Sequence, residues 1–156
     1  MDLVENVILE NITVESNNFY GGECYFSVLA KSFSIVSSIF ELNGLANQAY
    51  PEDEVLMEAS EENELSLLLI SRCLADEDLS ITLTDVSCVK NRALLSACVW
   101  IDEKSSISIT SNSLTIDSSS FEFNIAEKAA LLYTIDPLFD FYIYNTNSLH
   151  NLNKGY

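Results

Sequence analysis

One histidine, His150, and four cysteines, Cys24, Cys73, Cys88 and Cys98, are the chain's whole stock of imidazole and thiol groups. The sharpest pairing they allow is a Cys24–His150 couple. Gly21-Gly22-Glu23-Cys24 leads into an expected helix start, where the helix dipole would lower the thiol pKa and favour a nucleophilic thiolate. Against it, a free cysteine is usually a small core residue, and His150 falls in the C-terminal stretch expected to be a tail. A single histidine also argues against a Ser-His-Asp triad and against a multi-histidine metal centre. No two cysteines stand in CxxC spacing and the chain is large enough to fold without staples, so all four are expected to be reduced and mostly buried. Asp76-Glu77-Asp78 offers carboxylates for Ca²⁺ or for paired acid and base work, but the alternating acids, central glycine and distal Glu of a calcium loop are missing. No Gly-rich phosphate loop or GxSxG elbow occurs. The expectation is therefore no enzyme, no catalytic residue, no metal and no cofactor.

The strongest signal is electrostatic. "YPEDEVLMEASEENE" (50–64) places Glu52, Asp53, Glu54, Glu58, Glu61, Glu62 and Glu64 together with no cation among them. The first 30 residues hold five acids and no base, and residues 41–71 hold eight acids and no base. On a helix, Glu54/Glu58, Glu58/Glu62, Glu58/Glu61 and Glu61/Glu64 would be like-charged neighbours, costing about 1–2 kcal/mol together. Stability alone would not select that arrangement. A merely solvated face would also intersperse Lys with Glu. Asp53, Glu54, Glu58, Glu61, Glu62 and Glu64 are thus the candidate partner-binding residues, with Asp76, Glu77 and Asp78 as a second patch. Tyr142 and Tyr144 join them, because they would share the outward face of a strand whose Phe139, Phe141 and Ile143 face the core, and tyrosine is frequent at interface hot spots. Trp100, in a compact apolar run, reads as core.

The elements that would position these groups come from periodicity. Val4–Val14 reads as a strand. Between Cys24 and Leu42 the residues Tyr25, Leu29, Phe33, Val36 and Phe40 recur at helical spacing before Asn43-Gly44, although the many Ser and β-branched residues make a long bent strand the rival. Residues 52–75 read as a second helix with the acids fanned across one half, and Ala126–Tyr133 as a third, shorter one. Leu79/Ile81/Leu83, the run 94–101, Ile107/Ile109, Leu114/Ile116 and Phe139/Phe141/Ile143 read as strands joined by hairpins. No internal repeat is evident. The expected fold class is α+β: an antiparallel sheet with two or three helices packed on one face, in a single domain over 1–144, with 145–156 a loose C-terminal tail.

Composition bounds the function. The 156 residues are 48% hydrophobic, enough to fold, and 7 Lys and Arg against 24 Asp and Glu leave a net charge of −17. Such a field repels nucleic acid and anionic membranes and attracts basic proteins. The longest wholly aliphatic run, Leu67–Ile70, is far too short to span a bilayer, and no export signal is read at the N-terminus, so a cytoplasmic location is expected. Together these features suggest an acidic protein inhibitor that binds and neutralises a basic partner. A bacterial immunity protein against a toxin nuclease fits in kind, since a nuclease site is cationic. The alternatives are a cytosolic acidic chaperone for a secreted protein and a DNA-mimic inhibitor of DNA-binding proteins.

Overall fold

"SFSIVSSIFELNG" (32–44) alternates polar and apolar residues, then breaks step at Ser37-Ser38 and resumes. Phe33, Ile35, Ser38, Phe40 and Asn43 are buried, whereas Ser37, Ile39 and Leu42 are exposed. The break is a residue in the left-handed region: Ser37 has φ 47° and Leu42 has φ 55°. Each such residue adds one outward position, so the inward residues fall two and then three apart. A computed structural model describes residues 5–16, 24–44, 66–72, 78–93, 96–102, 112–126, 128–134 and 139–153, and this inward spacing recurs through it.

Every described regular element is a strand. In chain order they are β1 (Asn6–Glu10), β2 (Thr13–Glu15), β3 (Cys24–Ala30), β4 (Ser32–Glu41), β5 (Ser66–Arg72), β6 (Ser80–Val89), β7 (Arg92–Ala93) and β8 (Ser96–Asp102). Then come β9 (Asn112–Asp117), β10 (Ser120–Glu122), β11 (Ile125–Ala126), β12 (Leu132–Thr134), β13 (Phe139–Tyr144), β14 (Asn147–Leu149) and β15 (Leu152–Asn153). All described pairings are parallel, and each joins strands one turn of chain apart: β4 with β6, β6 with β9 and β10, β9 with β13, and β10 with β14. A third sheet runs β3, β5, β8, β12, and a short one runs β7, β11, β15. The chain therefore winds as a coil of stacked rungs whose strands fall into three sheets, and forms a parallel β-solenoid.

The core is the inside of this coil. Phe33, Ile81 and Leu114 stack in register, as do Ile35, Leu83 and Ile116, and Phe40, Cys88 and Phe121. Leu68, Ile70, Val99 and Ile101 close the cluster from the third sheet. Parallel sheets need both faces managed; here the inner face is apolar and the outer face carries Ser32, Ser34, Ser80, Thr82, Thr84, Ser113 and Thr115.

Two corners repeat. Asn11, Ser37, Asp85, Ser118 and Asn145 take positive φ at the first, and Ser16, Leu42, Lys90, Phe123 and His150 at the second. A non-glycine residue in this region costs about 1–2 kcal/mol. At the second corner the backbone ladder continues through it and offsets that cost: Ser16 N donates to Glu41 O (3.0 Å), Leu42 N to Val89 O (3.1 Å), Lys90 N to Glu122 O (2.9 Å) and Phe123 N to Leu149 O (3.0 Å). An asparagine follows at Asn43, Asn91, Asn124 and Asn151, and these four form a ladder. Asn91 Nδ2 donates to Phe40 O, Asn124 Nδ2 to Cys88 O and Asn151 Nδ2 to Phe121 O, at 2.7–2.8 Å. Their Oδ1 atoms accept the backbone N–H of the asparagine one rung back: Asn43 N to Asn91, Asn91 N to Asn124 and Asn124 N to Asn151. Gly44 follows Asn43 with φ +130°, bridged to Arg92, and a Cβ there would lie 1.7 Å from Arg92 O. Gly44→Ala is expected to lower the unfolding free energy by about 1–3 kcal/mol in urea titration, through backbone strain and the forced separation of the two rungs.

These observations correct the α+β expectation. Among the described residues there is no helix and no antiparallel pair; their regular structure is all strand. The stretch read as a first helix is β3 and β4, the bent-strand rival, because the extra corner residue gave Phe33, Val36 and Phe40 a helix-like spacing while Val36 in fact points outward. The C-terminal half of the second expected helix is β5; its acidic half lies outside the described residues. Ala126–Tyr133 spans the end of β11, a bridge at Ala129 and the start of β12. Among the described residues no strands pair as a hairpin, because each strand's partners come from the rungs before and after it, and the expected strand at Ile107 and Ile109 lies outside the described residues. Residues 145–153, read as tail, supply β14, β15 and the last rung of the asparagine ladder.

Cysteine use also differs from expectation: Cys88 on β6 and Cys98 on β8, both buried, form a disulfide with a Cα–Cα distance of 6.4 Å. It crosses the interior from the first sheet to the third.

Candidate functional site

The outer face of the first sheet is set by the corners. Between Asp140 and the first corner the outward columns run Ser32, Ser80, Ser113, Asp140; then Ile8, Ser34, Thr82, Thr115, Tyr142; then Glu10, Val36, Thr84, Asp117, Tyr144. Beyond the corner, Glu15, Glu41, Val89, Glu122 and Leu149 share one column. Neighbouring rungs are about 4.8 Å apart, so Glu15 and Glu41 are direct lateral neighbours. Lys90 Nζ lies 3.6 Å from Glu41 Oε1 and Lys31 Nζ 3.7 Å from Glu5 Oε1. These pairs are exposed or half-exposed and contribute about 0–1 kcal/mol each. Acidic groups also collect at the first corner, where Ser37 Oγ donates to Asp85 Oδ2 (3.0 Å) and Asn145 Nδ2 to Asp117 Oδ1 (3.1 Å).

Of the candidate residues, Asp53, Glu54, Glu58, Glu61, Glu62, Glu64, Asp76 and Glu77 lie outside the described residues. The segment 45–65 that holds the acid run joins Gly44 to Ser66, between β4 and β5 in the chain. Asp78 is exposed just before β6. Tyr142 and Tyr144 do lie side by side on the outward face of β13, 45% and 52% exposed. The structure does not gather Asp78 with them: Tyr142 shares a column with Thr82, four residues past Asp78 and two rungs away, which is roughly 13 Å along and 10 Å across. Phe141 and Ile143, read as core-facing, do continue the inner columns of Leu114 and Ile116, yet they are 48% and 59% exposed. The asparagine ladder went unread; its signal is a large or thiol-bearing inward residue three before Asn, as in Phe40-Glu-Leu-Asn43, Cys88-Val-Lys-Asn91 and Phe121-Glu-Phe-Asn124.

Among the described residues no group of three or more His, Cys, Asp or Glu side chains is arranged to hold a metal ion. One internal gap of about 10 Å³, between Ile35, Phe40, Leu68, Leu83, Val86, Val99, Phe121 and the cystine, is lined wholly by apolar surface. It has room for one water at most and no polar partner to hold it. His150 stands at the second corner, its ring stacked on Phe123 with centroids 4.9 Å apart, so its described neighbour is an aromatic ring.

The class is thus a β-solenoid with an acidic, hydroxyl-rich outer surface. No protein-family model, curated protein or solved structure matches this chain.

Proposed function

We propose that this protein binds a basic macromolecular partner through its acidic surface and performs no bond-making step of its own. The more specific form of the proposal is an inhibitor, such as a bacterial immunity protein that occupies the cationic site of a toxin nuclease. The observation that carries it is the charge, −17 over 156 residues. The outward placement of Glu10, Glu15, Glu41, Asp117 and Glu122 on one sheet is in keeping with it. Stacked strands hold outward groups at fixed spacing, so a field built on them needs little reorganisation when a partner docks. Opposed fields raise association rates steeply at low ionic strength.

The test is capture of partners by the tagged chain from the cells that make it, at about 50 mM and about 500 mM salt, wild type beside Glu58→Lys/Glu61→Lys/Glu62→Lys. The expected result is a basic protein retained only at low salt, whose association with the triple variant is at least about tenfold slower. A partner that is acidic or held equally at both salts, or an association rate unchanged in the variant, would exclude this reading.

A further inference from the structure

Both corners put an exposed side chain on a residue of positive φ, yet they use different residue types. The first holds Asn11, Ser37, Asp85, Ser118 and Asn145, small polar groups of which Asn and Asp favour this backbone. The second, after Ser16, holds Leu42, Lys90, Phe123 and His150. Leu42 and Phe123 are bulky, both at φ 55°, and are 48% and 45% exposed. Each gains only part of its burial while holding a backbone that asparagine would hold with less strain. Folding alone does not select them.

The four side chains stand on successive rungs. Leu42 N donates to Val89 O, Lys90 N to Glu122 O and Phe123 N to Leu149 O, so the corner backbone is tied rung to rung. The Phe123 and His150 rings, stacked with centroids 4.9 Å apart and 17° between their planes, follow the spacing of the rungs. The result is a fixed ridge along the coil axis, apolar at Leu42 and Phe123. Carboxylates flank it, because Glu41 and Glu122 precede Leu42 and Phe123 and point outward from β4 and β10. Lys90 Nζ, 3.6 Å from Glu41 Oε1, shows that a cation on the ridge reaches this row. Glu122 Oε1 accepts from Ser120 Oγ at 2.7 Å, and Glu122 has no ion pair among the described residues.

We infer that the second corner is a docking ridge for a basic protein segment that carries apolar side chains between its cations. Apolar groups of the segment cover Leu42 and Phe123, and its Lys or Arg side chains lie along the ridge with their heads at Glu41 and Glu122. The inference rests on the reading of a basic partner and adds where that partner sits and that charge is only part of what it recognises. Charge also selects against the other occupant, a second copy of the chain, since two molecules of net charge −17 repel.

Fluorescence anisotropy with two labelled peptides of equal length and charge, one alternating lysine with leucine and the other lysine with serine, tests it at about 0.15 M salt. The leucine peptide should bind at least about tenfold tighter than the serine peptide, and Leu42→Asn/Phe123→Asn should bring the two within about twofold. Should the double variant lose its β-type circular dichroism, Leu42→Asn alone reads the same preference. In urea, Leu42→Asn should unfold at the same or a higher concentration than wild type, whereas Asn11→Leu, the same side chain placed at the first corner, should unfold at a lower one. Equal binding of the two peptides by wild type, weakened by salt, would leave the charge reading standing and overturn the ridge. So would a leucine preference that survives in the double variant, or a Leu42→Asn midpoint below that of wild type, which would put Leu42 in the service of the fold. Binding of neither peptide at about 50 mM salt would count against both readings. A mass that rises with concentration in wild type but not in the double variant would give the ridge to a second copy instead.

Discussion

Asn91→Ala is expected to cost about 3–5 kcal/mol of unfolding free energy, lowering the melting temperature by roughly 10–15 °C. The side chain is 1% exposed and serves both adjacent rungs. Its Oδ1 accepts from Asn43 N at 3.0 Å and from Asn43 Nδ2 at 3.1 Å; its Nδ2 donates to Phe40 O at 2.8 Å and Asn124 Oδ1 at 3.2 Å. Alanine leaves a buried N–H and a buried carbonyl without these partners, each costing about 1–3 kcal/mol, and no water fits an alanine-sized gap without a rearrangement of the corner. Asn91→Asp separates hydrogen bonding from volume. It keeps the acceptor but sets a carboxylate oxygen against Phe40 O and Asn124 Oδ1, so it should be at least as destabilising above the carboxylate titration range. Asn151→Ala, half-buried in the last rung, is the control, with an expected loss of about 1 kcal/mol. Equal effects at 91 and 151 in urea titration would show that the ladder does not gain from burial.

Opening the Cys88–Cys98 disulfide is the second large effect, expected at about 2–3 kcal/mol for a loop of sequence separation 10. The bond ties β6 to β8, so it closes a short loop that limits the conformations open to the unfolded chain. Both sulfurs are buried, which makes thiol reductants slow on the folded protein and fast once it opens. Urea unfolding with and without dithiothreitol should differ by that amount, and the non-reduced chain should weigh two hydrogens less than the reduced one. Cys88→Ala/Cys98→Ala should fall further, because it enlarges the apolar gap beside Phe40 and Phe121. Free thiols at all four cysteines, with identical unfolding curves, would contradict the bond.

How much of this fold was legible depends on the element. Ile81, Leu83 and Leu114, Ile116 read as strands because nothing interrupts their alternation. Phe33 to Phe40 misread because the Ser37 corner turns a two-residue period into one that averages between strand and helix. Four glycines in the chain removed the usual marker of left-handed corners, and Ser, Asn, Asp, Lys, Leu, Phe and His fill them instead. The ladder asparagines stand 48, 33 and 27 residues apart, so a search at fixed period finds no repeat. Aligned on Asn, however, Phe33-x-Ile35-x-x-Ser38-x-Phe40-x-x-Asn43 and Leu114-x-Ile116-x-x-Ser119-x-Phe121-x-x-Asn124 are one pattern. For the site, the outward direction of Tyr142 and Tyr144 was readable from alternation alone. Their exposure together with Ile143 was not, since alternation gives the direction of a side chain and not what covers it.

Those unequal intervals also say where the chain is free to vary. The ladder meters only the arc from the first sheet through the second corner, and there one inserted residue would turn apolar groups outward. The ladder asparagines stand 48, 33 and 27 residues apart while the corners stay five residues apart in every described rung, so length differs between turns and not within that arc. One turn of the coil can therefore be longer than the next while the stacked frame stays constant, much as a loom keeps its warp while the weft changes.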